Sequence, residues 1–477
     1  MKIKSIFLTF MAVLAFSACN NEQLGSGPDI ETGEKVEGYL ILNLENPVKT
    51  RTSGPGNAAS EDGVGTENVI NDLTIVFADG TGNILAVAEP GVTGNVSDKI
   101  KIEIGTYYLY ALVNNTVDVK VGQNIERVIA VAEAKDATSG YKNGSFFMVN
   151  ARHNGSGSAG VEATIVVGNT IDNPAKADIY VDRVACKITD LTASPNVSVL
   201  SAATDNFIDG VDVEGFALLN VNKQFNLIQT WSDDNGSGIS LNEEDVLSTP
   251  LYPGGVNDLV SSQYFLHIGE YTELGKDNDG NIISITDKTE SASDIFVSGP
   301  VYTTENRPTI VDAGVSGLTA GRGETTGVIY KVQAKKGGIN KATFYKYKDE
   351  LYDKLEDLNL LTEFVGQDLK SLSNPVLRTL GIKVYEDGVM YYTYFIRDPN
   401  QAYQFDGKNY YGVFRNSSYK LTIDNIKLLG DDVPGGAIVD TDKPGDPGNP
   451  LIDTVEAYIE VTIKVNQWVV NEIGIDF

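Results

Sequence analysis

Residues 455–465 read VEAYIEVTIKV, and the chain closes with NQWVVNEIGIDF. Val455, Ala457, Ile459, Val461, Ile463 and Val465 are all apolar, whereas Glu456, Glu460, Thr462, Lys464 and Asn466 between them are polar. Successive side chains of a strand point to opposite faces, so this two-residue period predicts a long, half-buried β-strand. Ahead of it lies DDVPGGAIVDTDKPGDPGNP at 431–450, whose proline, glycine and aspartate can neither hold a ladder nor bury a face. A regular strand on such a leash can complete its own sheet or the sheet of a second molecule. Burying its six apolar side chains yields roughly 10–15 kcal/mol gross. Ordering the segment costs on the order of 1–2 kcal/mol per residue, which nearly cancels that gain. Attachment therefore demands a preformed cleft that lacks one strand.

A strand able to vacate such a cleft stands at the other end, in VEGYLILNLENPV at 36–48. Val36, Leu40, Leu42, Leu44 and Val48 share one face, interrupted by Gly38 and Asn46. Lys49-Thr50-Arg51 follows, and then TSGPGNAASEDGVGTEN at 52–68. An arginine beside a loop rich in glycine and small polar residues is an accessible site for a trypsin-like protease. A cut after Arg51 would remove the strand and everything before it together; Lys49 is a second candidate.

The N-terminus, MKIKSIFLTFMAVLAFSAC, places Lys2 and Lys4 before an apolar core from Ile6 to Phe16, then Ser17 and Ala18 before Cys19. It is too short to span a bilayer and fits an export signal. The small residues directly before Cys19 point to a lipoprotein signal with Cys19 as the acylated residue. A plain secretory signal with an incidental cysteine is the other reading. No other apolar run is long enough for a membrane helix, so lipid would be the anchor to the outer membrane. Cys186 has no second cysteine in the exported chain other than Cys19, so disulfides are not expected to hold the fold.

The chain has 477 residues, 42% hydrophobic and 21% charged, with 48 glycines, 23 tyrosines and 17 phenylalanines, which suits an all-β protein of more than one domain. Its net charge of -28 disfavours nucleic acid and anionic lipid faces, which phosphate would make repulsive. Strand-like runs recur: VINDLTIVFADGTGNILAVAE at 69–89 around an Asp79-Gly80 turn, KIKIEIGTYYLYALVNN at 99–115, SFFMVNAR at 145–152, GVEATIVVGN at 160–169 and ADIYVDRVACKITDL at 177–191. A short helical piece is expected near Arg127 to Ala134. A second strand-rich unit holds VDVEGFALLNV (211–221), QYFLHIGEY (263–271), TTGVIYKVQAKK (325–336), GIKVYEDGVMYYTYFIR (381–397) and NSSYKLTIDNIKLLG (416–430). Short strands at such spacing predict sandwiches. Leu351, Leu355, Leu358 and Leu361 predict one amphipathic helix packed on the second unit. The expected division is a signal peptide at 1–18, a propeptide with tether and removable strand at 19–51, sandwich domains at 52–195 and 196–430, a flexible linker at 431–453 and the terminal strand at 454–477.

Catalytic patterns are absent. The two histidines, His153 and His267, are far apart, and no HExxH, CxxC, Gly-x-Ser-x-Gly or phosphate-cradling glycine loop occurs. No enzyme activity, cofactor or metal is therefore expected. KDNDGNIIS at 276–284 reads as a hairpin turn, because its glycine falls too early for an EF-hand. Tyr391, Tyr392, Tyr394, Tyr403, Tyr410, Tyr411 and Tyr419 would suit sugar stacking, but sheet packing accounts for them better.

With these features in place the chain resembles the Bacteroidales fimbrillins of type V pili, close to their minor-fimbria shaft subunits. The likeness is carried by EAYIEVTIKVNQWVVNEIGIDF with Trp468, by the proline-rich linker before it and by RNSSYKLTIDNIKLLG at 415–430, with INDLTIVFADG and GTYYLYALVN as weaker matches. The resemblance implies an all-β fold with minor helices, built as two transthyretin-like β-sandwich domains behind a lipoprotein signal and a removable first strand. It also implies export as a lipoprotein to the outer membrane and cleavage after Arg51 by an Arg-specific protease. The terminal strand, with Trp468, would then fill the vacated groove of the next copy. Copies of itself and the anchor and tip subunits of the pilus would be its partners, and adhesion and biofilm its service. The alternative is a surface lipoprotein that binds glycan or host protein without polymerising, as a tip or anchor component.

Overall fold

The computed structural model describes residues 36–45, 60–63, 65–115, 117–131, 146–151, 159–192, 196–197, 207–222, 224–231, 296–306, 308, 310–312, 318–320, 325–397, 411–433 and 459–469, with the short segments 247–248, 265–266, 272–276, 282–287, 404–405 and 408–409. The strands below belong to one compact unit that begins at Glu37. In chain order the first part contributes β1 (Glu37–Glu45), β2 (Ser60–Asp62), β3 (Leu73–Ala78), β4 (Ile84–Ala88), β5 (Val92–Thr93), β6 (Val96–Ser97), β7 (Ile100–Glu103), β8 (Gly105–Val113), β9 (Ile129–Val131), β10 (Met148–Asn150), β11 (Val161–Ile165), β12 (Ala175–Arg183) and β13 (Ala185–Asp190). The second part contributes β14 (Gly210–Leu219), β15 (Gln224–Asn226), β16 (Val301–Thr304), β17 (Gly327–Lys336), β18 (Val389–Phe395), β19 (Ser417–Ile426) and β20 (Ile459–Val469). The fold is all-β with minor helices.

Ten strands form the first sheet, in the order β4-β3-β8-β10-β12-β1-β6-β5 with β11 beside β8 and β7 beside β1. Its two ends face each other across one core: Leu40, Leu42, Leu44, Ile100 and Ile179 meet Leu73, Ile75, Phe77, Leu109 and Val113. The opposite phase of β3 and β8, Val76, Ala78, Tyr110 and Leu112, packs in a second core with Phe146, Phe147, Phe225, Leu227 and Ile228. Every position of β3 is therefore buried, and its almost unbroken apolar run LTIVFA reflects two covered faces. At the β3–β4 turn the Asp79 carboxylate accepts hydrogen bonds from the Thr81 and Asn83 backbone N–H groups at 2.8 and 3.0 Å. Side-chain bonds from Thr81 and Asn83 lead in holding its pKa far below the ordinary carboxylate value.

The chain changes sheet at Val184. β12 lies in the first sheet, antiparallel to β10 and parallel to β1, whereas β13 pairs parallel with β19 and antiparallel with β16. The second sheet runs β2-β20-β19-β13-β16, and the third is built on β17 between β14 and β18. Between these two sheets lies a third core, where Ile188, Val301, Tyr419, Leu421 and Ile423 meet Phe216, Leu218, Val328, Tyr330 and Tyr392.

Two expectations need correction. The helical piece near Arg127 to Ala134 is a 3-10 turn, Ile125–Arg127, whose Asn124 side chain accepts from the Glu126 N–H. Residues Ile129–Val131 are then a strand because they pair with β15, a tertiary ladder outweighing weak helix propensity. The leucine series is not one helix. Only Leu355–Leu358 is α-helical, Leu351 sits in the strand Glu350–Tyr352, and Leu361 precedes the 3-10 turn Thr362–Phe364. Pairing of Glu350–Tyr352 with Phe344–Tyr347 claims the first leucine, while Leu355 and Leu358 still bury against Phe364, Leu369, Leu377 and Val384. Thr272–Lys276 and Ile282–Asp287 pair as an antiparallel hairpin, as expected, with the residues between them outside the described set. Tyr392, Tyr411 and Tyr419 are buried, which fits packing rather than sugar stacking; Tyr403 and Tyr410 lie outside the described residues.

Leu42 is fully buried in the first core. Leu42→Ala should lower the unfolding free energy of the uncleaved protein by about 2–5 kcal/mol. Denaturant unfolding followed by tryptophan fluorescence checks this, and unchanged stability would mean that β1 is not part of the core.

Candidate assembly groove

β1 is held on both sides. Its parallel register with β12 sets Leu40 opposite Ala175, Leu42 opposite Ala177 and Leu44 opposite Ile179. On the other side it runs antiparallel to β7, with Leu40 opposite Ile100, and to β6, with Asn43 opposite Val96. β1 thus occupies an interior place in a sheet, and its departure would leave two unpaired strand edges and a slot shaped by three leucines. Full burial of those leucines stabilises the strand by roughly 5–9 kcal/mol gross.

Further groups pin the backbone of β1. The Leu42 N–H donates to Ser97 Oγ at 2.9 Å, the Leu44 N–H to the Asn95 carbonyl at 2.8 Å and the Tyr39 N–H to the Asn169 carbonyl at 2.8 Å. Asn95 Nδ2 in turn donates to the Leu44 carbonyl at 3.2 Å. Ser97 is itself buried, so an empty groove would leave its hydroxyl without this partner. Gly38 is buried where a loop crosses the strand: a Cβ there would lie 2.6 Å from Ile165 Cγ2 and 3.2 Å from the Val166 carbonyl oxygen. At the solvent edge Glu37 pairs with Lys101, raising the ammonium pKa through that hydrogen bond first, an exposed pair of small energetic weight.

The terminal strand completes the second sheet of its own chain. β20 pairs antiparallel with β19, from Ser417 opposite Gln467 to Ile426 opposite Ile459. On its other side β2 pairs parallel with it, Ser60 opposite Gln467 and Asp62 opposite Val469.

A buried polar cluster fixes the segment just after β2. The Glu67 carboxylate accepts from the Tyr302 hydroxyl at 2.6 Å and pairs with Lys187 Nζ at 2.9 Å. Arg183 Nε donates to the Glu67 carbonyl at 3.1 Å and its Nη2 to Asn68 Oδ1. Asn416, at the start of β19, donates to Asp182 Oδ1 at 2.6 Å. Burial lowers the Arg183 pKa to about 10, which still leaves the guanidinium charged at neutral pH. Burial, and then the bond to Glu67, raises that of the Tyr302 hydroxyl, which stays protonated. The cluster ties residues 67–68 to β12, β13, β16 and β19.

Of the residues singled out in the sequence, Leu40, Leu42 and Leu44 come together in the groove, and Val36 at its entrance is 48% exposed. Ile459, Val461, Ile463, Val465 and Trp468 lie on β20, away from β1 in the sheet order. Cys19, Val48, Arg51, Val455 and Ala457 are outside the described residues. Sequence reading missed Gly38 as a packing position, counting it as an interruption, and missed Ser97, Asn95 and the Glu67 cluster. The one signal for the cluster was charge inside the largely apolar run DIYVDRVACK, where Asp182, Arg183 and Lys187 stand among apolar residues.

Residues 383–473 match the family model described as major fimbrial subunit protein type IV, fimbrillin, C-terminal. A comparison with curated proteins finds no match. Similar solved structures include a fimbrilin (FimA) from Porphyromonas gingivalis W83, 14% identical with a TM-score of 0.41, covering 91% of this chain and 98% of that one. Another is the tip fimbrial protein Mfa3 from Porphyromonas gingivalis with C-terminal truncation, 11% identical with a TM-score of 0.37, covering 91% of this chain and 100% of that one. The family match covers the C-terminal part of the chain, residues 383–473, which include β18, β19 and β20.

Removing one partner from a buried ion pair strands the other charge. Glu67→Ala should therefore cost about 3–5 kcal/mol of stability, read as a lowered denaturant midpoint with an unchanged slope. A loss under about 1 kcal/mol would show that the cluster is solvated in solution.

Proposed function

We propose that the protein is a shaft subunit of a type V pilus that polymerises by exchanging one β-strand for another. The observation that carries this reading is the burial of Leu40, Leu42 and Leu44 in an interior strand of a sheet. That strand is joined to the rest only through residues 46–59, the segment that contains Arg51. While the connection is intact, β1 is present at a high effective concentration and no external strand competes with it. Cleavage after Arg51 by a trypsin-like, Arg-specific protease turns β1 into a separate peptide that dilutes once it leaves. The terminal strand of a second copy, with Val455, Ala457, Ile459, Val461, Ile463, Val465 and Trp468, then enters the same place, and head-to-tail repetition makes a filament.

In this reading the chain is exported with a signal at 1–18 and acylated at Cys19, which holds it at the outer membrane until cleavage. Residues 52–195 and 196–430 supply most of its two sandwich domains, with β2 and β13 joining the sheet of the later strands, and the chain after Val433 gives the terminal strand its reach. Anchor and tip subunits of the same pilus are its further partners, and adhesion and biofilm formation its service. A second reading, a surface lipoprotein that stays monomeric and binds glycan or host protein, draws support from the pairing of β20 with β19 and β2 of its own chain.

Trypsin treatment of the purified full-length protein decides between them. The wild type should lose residues 1–51 and give a ladder of oligomers on a denaturing gel without boiling, and Arg51→Ala should give less than about a tenth of that ladder. Equal ladders from both proteins, or none from a correctly cleaved wild type, would favour the monomeric reading.

A further inference from the structure

The place occupied by β1 is not equally roomy along its length. Its inward positions are Gly38, Leu40, Leu42 and Leu44, all buried, so the slot takes one residue without a side chain followed by three large ones at two-residue intervals. The narrow position is roofed by Ile165 of β11 and by the loop after it. A Cβ there meets Ile165 Cγ2 at 2.6 Å, the Val166 carbonyl oxygen at 3.2 Å and the Asn169 carbonyl oxygen at 3.4 Å. The roof is itself fixed, since Ile165 is 1% exposed, the Asn169 N–H donates to the Val166 carbonyl at 2.9 Å and the Val166 N–H donates to Asn169 Oδ1 at 2.8 Å. A single methyl fits only if the Ile165 side chain shifts slightly, and it lies close to the Val166 and Asn169 carbonyl oxygens, whereas a longer side chain would run into that backbone. Overpacking of that kind is not absorbed cheaply in a close-packed site.

Resting on the strand exchange proposed above, we infer that this narrow position is a size gate that sets the register and the direction of the incoming strand. Ala457 of the second copy lies under Ile165, and Ile459, Val461 and Ile463 take the places of Leu40, Leu42 and Leu44. Read forward through residues 451–477, this is the one register that offers a small residue followed by three branched apolar residues at the required spacing. A shift of two residues towards the N-terminus forces Val455 into the gate and leaves Ala457 in the slot of Leu40, and a shift of four puts Asp453 in the gate and Ala457 in the slot of Leu42. A shift the other way forces Ile459 into the gate. The second small residue, Gly474, is followed at the next inward position by Asp476 when read forward and by Glu472 when read in reverse. Each of these alternatives buries a charge or a clash.

The inferred register conserves the packing. Ile459 and Ile463 are isomers of the leucines they replace, and Val461 is one methylene smaller than Leu42. The backbone anchors carry over as well, with Val461 N–H donating to Ser97 Oγ and Ile463 N–H to the Asn95 carbonyl. Direction follows too, since the strand enters parallel to β12 and antiparallel to β7, as β1 does.

The test uses full-length protein with substitutions in the terminal strand, cleaved with trypsin and scored for ladder at a fixed time. Ala457→Leu should reduce the ladder at least tenfold, and Ala457→Gly should match or exceed wild type. Val455→Phe should ladder normally, because the corresponding Val36 lies at the exposed entrance. Adding Ile165→Ala to Ala457→Leu opens the roof and should restore the ladder at least threefold. A normal ladder from Ala457→Leu, in a protein whose ladder is still abolished by deleting 455–477, overturns the register while strand exchange stands. Failure of Ile165→Ala to rescue overturns the gate. A ladder that survives the deletion overturns strand exchange itself.

Discussion

The first sheet is complete only with the strand that comes earliest in the described chain. β1 satisfies backbone groups of β12 on one side and of β6 and β7 on the other, and its three leucines plug the core between the two ends of a sheet that folds back on itself. An interior strand cannot leave without stranding polar backbone on two neighbours and exposing apolar surface, both of which are costly in water-poor surroundings. The sheet is therefore stable with the strand present and open to another strand of the same shape once it is gone. Covalent attachment separates these two conditions, because a tethered strand returns far faster than a free peptide.

The second dependence is the crossing at Val184. Within one residue the chain leaves the first sheet and enters the second, so β12 and β13 link the two sandwiches without a long connection. Arg183, Lys187, Glu67, Tyr302 and Asn416 gather at this crossing. The attraction among such buried charges is largely offset by the loss of hydration, so their net contribution is small next to their directional demand. What the cluster adds is position. It holds Glu67 and Asn68 against both sheets, and so keeps β2, a few residues upstream, beside the terminal strand.

β20 and β1 share a feature: each has a parallel neighbour on one side and antiparallel pairing on the other. They differ in location. β20 lies next to β2, which covers only three of its residues, whereas β1 lies within a sheet and under a loop. Freeing β20 therefore means breaking its nine-pair ladder with β19 as well as the short pairing with β2.

Much of this was legible in the residues alone. Period-two alternation located β1, β19 and β20, the Asp79-Gly80 turn located the β3–β4 hairpin, and the Pro/Gly/Asp run marked the boundary before the terminal strand. These are local properties, in which side-chain phase and turn chemistry act over a few neighbours. The leucine series at 351–361 showed the limit of that reading, since its spacing suits a helix until a neighbouring strand claims Leu351. ADIYVDRVACKITDL reads as a single strand, yet Val184 divides it between two sheets. Gly38 looked like a gap in an apolar face, and only the approach of Ile165 and the Val166 carbonyl, more than a hundred residues away, makes it the tight position of the strand. Glu67, Arg183 and Tyr302 are likewise distant along the chain, and burial alone turns three ordinary polar residues into one cluster. The sequence by itself determined which segments become strands and which face of each is apolar, because those depend on nearest neighbours. Partner, sheet and tight spot were decided by tertiary structure, because each is set by what chain closure brings against a residue from far away.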